Sequence, residues 1–362
     1  MMFSVAYLSF FLLFYLVLLL FFLFHRPRYT PAVGTPPISI LIAVRNEENT
    51  IGDCLAALAK LDYPPDKIEV LVGDDASTDR TWEVLNAYTP TGFSFRCIRI
   101  SENLGQARGK GNVIAHLAHL ASSDYFFITD ADIRVPENWV GSMLAQLQAG
   151  VGIVTGVTTI TGSRLFDRLQ AVDWLYALGL MQAVREMGLP VATMGNNMLL
   201  SREAYFSTGG YENIPFSVTE DVRLFNEVRR QGYSSVNMYH PDVLALSTPA
   251  PDLPTLLHQR KRWMQGSMNL PWHMTLILIV HGAYYPIVLP FFWHAGFLVA
   301  GGVFLGKLLL QTIFIKRGFN RLHLPVSWPL LILFEFYQLA LTLVLLLFFF
   351  LPLKVNWKGR RY

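Results

Sequence analysis

Three long apolar stretches constrain the fold of this chain more than any other feature of its sequence. They cover residues 1–24, about 274–315 and 328–353. Each is long enough to supply the roughly 20 apolar residues with which an α-helix crosses a bilayer. Residues from about 37 to 265 have an ordinary globular composition, although the whole chain is 52% hydrophobic and 15% charged. The sequence therefore predicts a water-facing domain inserted between transmembrane helices at both ends.

The charges beside the first apolar stretch predict its orientation. No basic segment precedes it and no small-residue cleavage site follows it, so we expect residues 1–25 to be a retained transmembrane helix rather than a signal peptide. Arg26 and Arg28 come next, which places the central domain, residues 37–270, in the cytoplasm and the N-terminus outside. The expected location is therefore the cell membrane, with the central domain on its inner side.

The remaining apolar residues, 274–353, are expected to form about three transmembrane helices. The first part is about twice the length of one span, and Pro286 and Pro290 are expected to divide it into a hairpin. The basic tail, residues 354–362, then ends outside, against the usual bias of basic residues, and a re-entrant segment would change the helix count. The acidic residue within these spans, Glu335, is expected near the start of the last helix, which gives little support for a transport pathway.

The central domain alternates strands and helices in the manner of an open, mostly parallel sheet with helices on both faces. The predicted strands are residues 38–44, 68–72, 95–100 and the stretch 125–132, which ends in Asp130 and Asp132. The predicted helices begin near residue 51, near residue 79 with Ser77 or Thr78 as its N-cap, and after residue 105. The expected fold class is therefore α/β.

Polar clusters follow three of these strands: Arg45 to Glu47, Asp74 with Asp75, and Asp130 with Asp132. Ligands of such sheets bind outside the carboxyl ends of the strands, where these clusters would meet. Two carboxylates one residue apart at the end of a buried strand repel each other unless a cation lies between them. Their oxygens suit Mg²⁺ or Mn²⁺ holding a diphosphate. A solvated turn would be the better explanation of an isolated pair, but the polar clusters after the other strands favour the metal site.

Several other classes of function lack the residues that they require. The glycine-rich segment 105–112 has Lys110 but no hydroxyl residue after it, and no G-x-G-x-x-G follows the first strand, which argues against ATP hydrolysis and dinucleotide chemistry. A net charge of +3 without a basic stripe gives no support for nucleic-acid binding. Cys54 and Cys97 are interpreted as packing residues.

The second half of the central domain predicts a strand over residues 151–160, a helix over 165–187 and a short strand over 195–200. The aromatic content of the 165–187 helix fits either the membrane interface or core packing. Thr219, Glu220 and Asp221 precede a helix over 222–230, where acidic side chains are also favoured simply by the helix dipole.

A basic helix over residues 253–268 closes the domain. Gln259, Arg262 and Trp263 share one of its faces, and Lys261 is expected to meet solvent or lipid headgroups. A helix of this kind beside a membrane span also fits a simple interfacial anchor.

Together these segments resemble the membrane-bound branch of the inverting family-2 glycosyltransferases, which have the GT-A nucleotide-sugar fold. The resemblance covers about residues 37–266, and the final Trp357 to Arg360 is similar to the tail of lipid-glycosylating members. The matching segments are Val44-Arg-Asn-Glu47, Asp74-Asp-Ala-Ser-Thr-Asp79, Asp130-Ala-Asp132, Thr219-Glu-Asp221 and Gln259-Arg-Lys-Arg-Trp263. One departure is Ala76, which stands where the family has a glycine.

The resemblance implies a role for each matching residue. The uracil and ribose of a UDP-sugar would be bound by Ala43, Arg45, Glu47, Asp74 and Asp75, with Lys110 nearby. Asp132, with Asp130, would hold Mg²⁺ or Mn²⁺ on the diphosphate. Asp221, next to Glu220, would be the catalytic base. Gln259, Arg262 and Trp263 would close over the diphosphate and the acceptor.

The sequence therefore predicts a membrane glycosyltransferase that moves a sugar from a UDP-sugar to a lipid-linked hydroxyl with inversion. One base and no second nucleophile is consistent with inversion. A processive polysaccharide synthase is the main alternative, because those enzymes share the Gln-x-x-Arg-Trp motif. A non-catalytic membrane scaffold is a further alternative.

Overall fold

The computed structural model describes residues 2–25, 29, 34–352, 356–357 and 360–361. The chain divides into two compact units. One, called here the helical unit, comprises Met1–Pro27, Ile160–Val191 and Pro249–Val355; the other, the α/β unit, comprises Arg28–Thr159, Ala192–Thr248 and Asn356–Tyr362. Arg26 and Arg28, and Lys358 of the predicted basic tail, lie outside the described residues.

The α/β unit is built on a seven-stranded sheet in the order β3-β2-β1-β4-β7-β5-β8. Pairing is parallel except for β7, which is antiparallel to both β4 and β5. The mostly parallel α/β sheet expected from the sequence is thereby confirmed. The strands of this sheet are β1 (Ile38–Val44), β2 (Ile68–Asp74), β3 (Ser94–Arg99), β4 (Tyr125–Asp130), β5 (Val151–Thr155), β7 (Asn197–Ser201) and β8 (Ser234–Asn237). A separate pair is formed by β6 (Val157–Ile160) and β9 (Leu244–Ser247).

Helices cover the sheet, which explains why apolar residues run almost continuously along its first strand. In β1, Ile40, Leu41 and Ile42 are fully buried. The helix after β3 buries Val113, Ile114 and Leu117 in the same core as Leu41. The helices of this unit are α2 (Ile51–Leu58), α3 (Thr81–Ala87), α4 (Gly109–Leu120), α5 (Trp139–Leu144), α7 (Arg202–Ser207) and α8 (Glu220–Arg230).

The strand register brings several polar segments to one edge of the sheet. Ala43 in β1 lies beside Gly73 of β2 on one side and beside Asp130 of β4 on the other. Since β7 runs antiparallel to β4, it starts where β4 ends, and Asn197 pairs with Thr129. The segment before β7 therefore lies at the same edge as the carboxyl ends of β1, β2 and β4.

Two details of the α/β unit differ from the sequence prediction. The 151–160 segment is two strands, β5 and β6, divided at Gly156. Neither Ser77 nor Thr78 caps α3, which starts at Thr81. The Ser77 hydroxyl instead accepts from the Asn46 N–H at 3.0 Å, and the Thr78 N–H donates to the Asn46 side chain at 2.8 Å. These side chains bridge two loops, which a reading of local capping patterns does not anticipate.

The described part of the helical unit contains six α-helices. Four of these are long and apolar enough to cross a membrane, which is the number expected from the sequence. They are α1 (Met2–Phe24), α10 (Trp272–Ala295), α11 (Phe297–Arg321) and α12 (Trp328–Phe350), and the other two are α6 (Leu165–Glu186) and α9 (Leu253–Gly266). Aromatic rings pack between them; Phe22 of α1 stacks on Phe314 of α11 with ring centroids 4.6 Å apart.

The expected break at Pro286 and Pro290 is wrong, because both prolines lie inside the continuous helix α10. The chain turns instead at Gly296, between α10 and α11, where φ is +79°. That left-handed conformation is accessible to glycine at little cost. Proline lowers the stability of a helix in water, but long apolar helices tolerate it when neighbouring groups satisfy the freed carbonyls.

Lys261 also differs from expectation, since it is buried rather than exposed to solvent. Its ammonium donates to the backbone carbonyl oxygens of Phe348, at 3.3 Å, and Leu351, at 2.7 Å. The last carbonyls of a helix have no partner within the helix, so a lysine satisfies them well at the end of α12.

Glu335 lies in the first half of α12 and is fully buried. It forms an ion pair with Lys307 of α11. The Tyr285 hydroxyl and the Gln311 amide each donate to the same carboxylate at 2.9 Å. This acid therefore belongs to a closed polar network that joins α10, α11 and α12.

Candidate active site

A lysine surrounded by carboxylates marks the polar edge of the sheet. The Lys110 ammonium, from the first turn of α4, forms an ion pair with Asp130 at the end of β4. It donates to the carbonyl oxygen of Gly195 at 2.9 Å and lies 3.8 Å from the Glu220 carboxylate. Strand register, the start of α4 and the start of α8 thus bring Asp130, Lys110 and Glu220 together.

Asp221 joins this group through Gly195. The Gly195 N–H donates to Oδ2 of Asp221 at 2.8 Å, while Oδ1 accepts from the N–H of Val222 at 2.8 Å. The helix-capping explanation thus accounts for one oxygen only. The other oxygen is held by a residue from a different segment of the chain, so the carboxylate has a fixed orientation beside the Lys110 cluster.

The charges in this cluster stabilise the protonated lysine. Burial acts to lower the pKa of Lys110, but the negative charges of Asp130, Glu220 and Asp221 outweigh it, and the pKa is raised above its usual value. Lys110 is therefore a fixed cation at neutral pH, facing more than one carboxylate.

Gly195 was not singled out by its sequence pattern, although its backbone holds both Asp221 and Lys110. A Cβ at this position would lie 2.8 Å from the Cβ of Asp221 and 3.3 Å from the Lys110 ammonium. The only signal in the sequence was a glycine just before the amides Asn196 and Asn197. The side chain of Asn197 fixes this segment, since it donates to the carbonyl oxygens of Val157 and Val243, each at 2.9 Å.

Arg45, Asp75 and Glu47 occupy neighbouring loops after β1 and β2. The Arg45 guanidinium donates to the carbonyl oxygens of Asp75 and Ala76, the second at 3.1 Å. The Glu47 N–H donates to the Thr81 hydroxyl at 2.7 Å. The structure therefore brings these three predicted nucleotide-binding residues together beside the end of β1, where Ala43 lies.

The residue that replaces the family glycine has the backbone conformation that usually selects glycine. Ala76 has a φ of +52°, in the left-handed region. A residue with a Cβ pays about 1–2 kcal/mol to adopt it. The loop therefore has the backbone conformation that a glycine would give it. The alanine lowers the stability of the loop but does not change its shape.

Asp74 is placed differently from its neighbour Asp75. Its side chain is fully buried, accepts from the Ser77 N–H at 3.2 Å, and lies 3.7 Å from the Arg99 guanidinium. Asp74 thus organises the loop that carries Asp75.

Asp132, the other predicted metal ligand, accepts from the Ser247 hydroxyl of β9 at 2.9 Å. Within the described ranges, no group of three or more His, Cys, Asp or Glu side chains is arranged to hold a metal ion. Mg²⁺ is commonly bound by one or two carboxylates and the phosphates of a substrate, so Asp130 and Asp132 are a donor set of the right chemistry for Mg²⁺ or Mn²⁺ on a diphosphate.

Gln259, Arg262 and Trp263 lie on α9, in the helical unit. The Trp263 ring packs edge to face against Trp174 of α6, with centroids 4.8 Å apart. One aromatic residue of α6, Trp174, is therefore a packing partner of the predicted motif within this unit.

Comparison with known families covers most of the chain. The sequence profile described as "Glycosyl transferase family 2" matches residues 39–206. The profile "Glycosyl transferase family group 2" matches residues 125–354, which include α9 and the last three apolar helices.

Curated relatives are distant but consistent. The probable glycosyltransferase YdaM of Bacillus subtilis (strain 168) is 24% identical over 311 residues, which are 82% of this chain and 70% of that protein. The poly-beta-1,6-N-acetyl-D-glucosamine synthase of Staphylococcus epidermidis is 25% identical over 63% of this chain and 54% of that protein. The beta-monoglucosyldiacylglycerol synthase of Synechocystis sp. is 24% identical over 65% of this chain and 48% of that protein. The chain thus spans about half the length of these two synthases.

Among solved structures, the mannosyltransferase PcManGT from Pyrobaculum calidifontis, in complex with GDP-Man and Mn²⁺, has a TM-score of 0.58 at 18% identity. The likeness covers 92% of this chain and 96% of that one, and it supports a shared GT-A fold. Since the second family profile spans more than half of the sequence, this chain belongs to the family 2 glycosyltransferases.

Proposed function

We propose that this protein transfers a sugar from a UDP-sugar to a hydroxyl group of a lipid acceptor, with inversion at the anomeric carbon. The observation that carries the proposal is the tethered carboxylate of Asp221, held by Gly195 beside the Lys110–Asp130 pair. This group lies at the carboxyl edge of the sheet, where ligands of such folds bind.

Asp221 is the base in the proposed reaction. The acceptor oxygen attacks the anomeric carbon and forms a new C–O bond while the bond to the diphosphate breaks. The hydroxyl proton passes to Asp221, and UDP leaves with the bonding electrons. General-base catalysis of this kind contributes typically about 10²–10⁴-fold to the rate. Glu220 lies next to it but faces Lys110, so its role is to balance that charge.

The donor is proposed to lie along the ends of β1, β2 and β4. Arg45, Glu47 and Asp75, with Ala43, would contact the nucleoside, and Lys110 would lie near it. Mg²⁺ or Mn²⁺, held by Asp130 and Asp132, would offset the charge that develops on the departing diphosphate. The Mn²⁺ named with the Pyrobaculum mannosyltransferase supports use of a divalent ion.

Gln259, Arg262 and Trp263 are assigned by the resemblance alone to the diphosphate and the acceptor. An arginine suits a diphosphate because its planar guanidinium makes paired hydrogen bonds to phosphate oxygens. An indole suits an acceptor because it offers a large flat apolar face with a polar edge.

The acceptor is proposed to be a lipid because four helices of the chain have the length and composition of membrane spans. The name of the Synechocystis relative, which ends in glucosyldiacylglycerol synthase, supports the same class of acceptor. We place the α/β unit on the cytoplasmic side, where UDP-sugars are supplied, from the basic residues that follow the first span.

A processive polysaccharide synthase is the second candidate. The staphylococcal relatives are named as synthases of a poly-N-acetylglucosamine, and they are 25–27% identical over 63% of this chain. The Gln-x-x-Arg-Trp motif fits either function. The two functions differ in the product, which is one added sugar in the first case and a long chain in the second.

Analysis of the product tests the proposal. Membranes that contain the full chain are incubated with a panel of labelled UDP-sugars, and lipid and polymer fractions are separated by chromatography. A labelled glycolipid with one added sugar is the expected result. A labelled polymer would establish the synthase instead, and no label in either fraction with any UDP-sugar would overturn both.

A further inference from the structure

The helix α9 is held on two sides by residues that the Gln-x-x-Arg-Trp motif leaves unspecified. These are Arg260 and Lys261, which stand between Gln259 and Arg262. Lys261 ties α9 to the carboxyl end of α12 through two backbone carbonyls. Arg260 points to α6, where its guanidinium donates to the carboxylate of Asp173.

The contact between α9 and α6 is both ionic and aromatic. The side chains of Arg260 and Asp173 are 12% and 18% exposed, so water screens this ion pair poorly. The guanidinium carbon of Arg260 also lies 4.4 Å from the centroid of the Trp263 ring. It lies 5.9 Å from the centroid of the Trp174 ring, so that contact is the weaker of the two. A cation within about 6 Å of an indole face is attracted to it.

Trp263 is consequently fixed from two directions. Arg260 covers one face of its ring, and the Trp174 ring meets it at an interplanar angle of 82°. Asp173 and Trp174 are adjacent in α6, so this single helix supplies the anchor for Arg260 and the aromatic partner for Trp263. Such pairing restricts the indole to one rotamer, which is what a side chain that orients a substrate requires.

We propose that Asp173, Trp174 and Arg260 are positioning residues for Trp263 and thereby determine how well the acceptor, but not the donor, is bound and oriented. This inference rests on the proposed function, in which Trp263 contacts the acceptor. Asp173 and Trp174 lie outside the segments that carry the family resemblance, and Arg260 is a position that the Gln-x-x-Arg-Trp motif leaves unspecified.

The test separates acceptor from donor kinetics in the detergent-solubilised full chain. The probes are labelled UDP-glucose and UDP-N-acetylglucosamine, with phosphatidylglycerol vesicles that contain dioleoylglycerol or a total membrane lipid extract. Asp173→Asn keeps the shape of the side chain but removes its charge. We expect the KM for the lipid to rise about 5- to 20-fold, with the KM for the UDP-sugar and the rate of donor hydrolysis by water within twofold of wild type.

Four further variants sharpen this test. Trp174→Phe keeps a ring against Trp263 and should restore most of the activity that Trp174→Leu loses. The double variant Asp173→Asn/Arg260→Gln should be no worse than either single change, because the two residues act as one unit. Arg168→Gln removes an exposed charge from the same helix and should behave as wild type.

The outcomes distinguish this inference from the proposed function. An unchanged lipid KM in Asp173→Asn, or an equal loss of transfer and donor hydrolysis, would overturn the positioning role. Absence of transfer by the wild-type protein with every probe would instead overturn the proposed function.

Discussion

The two units of this protein each contain a lysine paired with a carboxylate, in contrasting surroundings. In the α/β unit, the side chains of Lys110 and Asp130 are 25% and 33% exposed. In the helical unit, those of Lys307 and Glu335 are 3% and 0% exposed. Both pairs join a lysine to a carboxylate, but of the two only the Lys110–Asp130 pair is open to a ligand.

The balance of charge differs as well. Lys110 faces Asp130, Glu220 and Asp221, so one cation is shared among several anions. Lys307 is paired with one carboxylate among the residues that the structure describes, that of Glu335, and neutral groups complete the hydrogen bonds of the pair. An excess of negative charge at an open edge favours binding of a further cation or exchange of partners. A neutral, closed pair favours a fixed packing of helices.

The group formed by Lys110, Asp130, Glu220 and Asp221 is called here the open cluster, and the Lys307–Glu335 pair is called the closed pair. The largest effect should come from removing the proposed base, Asp221, from the open cluster. Asp221→Asn keeps a side chain of the same size that no longer accepts a proton, so turnover should fall by about 10²–10⁴-fold. The free energy of unfolding and the affinity for UDP should change little. Initial rates of sugar transfer and calorimetric titration with UDP provide the two measurements.

The exposed Asp66→Asn is the matched control, and it should retain full turnover. If Asp221→Asn turns over at the wild-type rate, Asp221 is not the base, and the open cluster is not the catalytic site.

Substitutions in the closed pair, Lys307 and Glu335, should instead lower the free energy of unfolding. Lys307→Met leaves the Glu335 carboxylate buried without its cation, which typically costs about 3–5 kcal/mol. The double variant Lys307→Met/Glu335→Gln removes both charges and should recover much of that loss. Unfolding of the purified protein in detergent micelles, followed by far-UV circular dichroism, measures both.

Lys316→Met provides a control on the same helix, since that ammonium donates to a backbone carbonyl at 2.9 Å rather than to a buried acid. If Lys307→Met were as stable as Lys316→Met but inactive, the Lys307–Glu335 pair would serve activity rather than stability, which would contradict the prediction.

The sequence predicts the open cluster better than the closed one, for a physical reason. Strand ends at the carboxyl edge of a parallel sheet converge whatever their loops contain, so Asp130 and Asp75 were predictable from their positions after strands. Lys307 and Glu335 lie on different helices, and nothing in the period of either helix indicates which residues face each other. The expectation that Lys261 meets solvent or lipid headgroups is wrong for the same reason, because its partners are backbone carbonyls 87 and 90 residues away in the sequence.

Backbone contacts are the other class that the sequence conceals. Gly195 holds Asp221 through its N–H and Lys110 through its carbonyl oxygen. Contacts made by backbone atoms cannot be predicted from the order of side chains in the sequence. Ala76 is a further case, since no glycine in this sequence marks its left-handed φ.

Gly195→Ala should therefore have a moderate effect that is confined to activity. The added Cβ would approach the Cβ of Asp221 to 2.8 Å, so the carboxylate must move. A displacement of about 1 Å in a catalytic group costs up to about 10²-fold in rate. Turnover should fall by about 10- to 10²-fold with UDP binding preserved, as measured by initial rates and calorimetry.

Gly141→Ala is the comparison variant, because a Cβ there meets open space inside α5. It should leave turnover unchanged. Equal turnover of the two variants would show that Asp221 does not depend on the Gly195 peptide for its orientation.

The smallest effect concerns the pH dependence of the open cluster. Burial alone would lower the pKa of Lys110, but Asp130 and its neighbouring carboxylates raise it above its ordinary value of 10.5. A pKa raised by folding stabilises the native state fully below the unfolded value, and that stabilisation is lost as the pH rises through the folded value. The difference in unfolding free energy between wild type and Lys110→Met should thus stay constant from pH 7 to about 10 and decline above it. Denaturant titrations across this range measure that difference. A decline that begins near neutral pH would mean that burial outweighs the carboxylates, and Lys110 would then be a partly neutral amine rather than the fixed cation of the cluster.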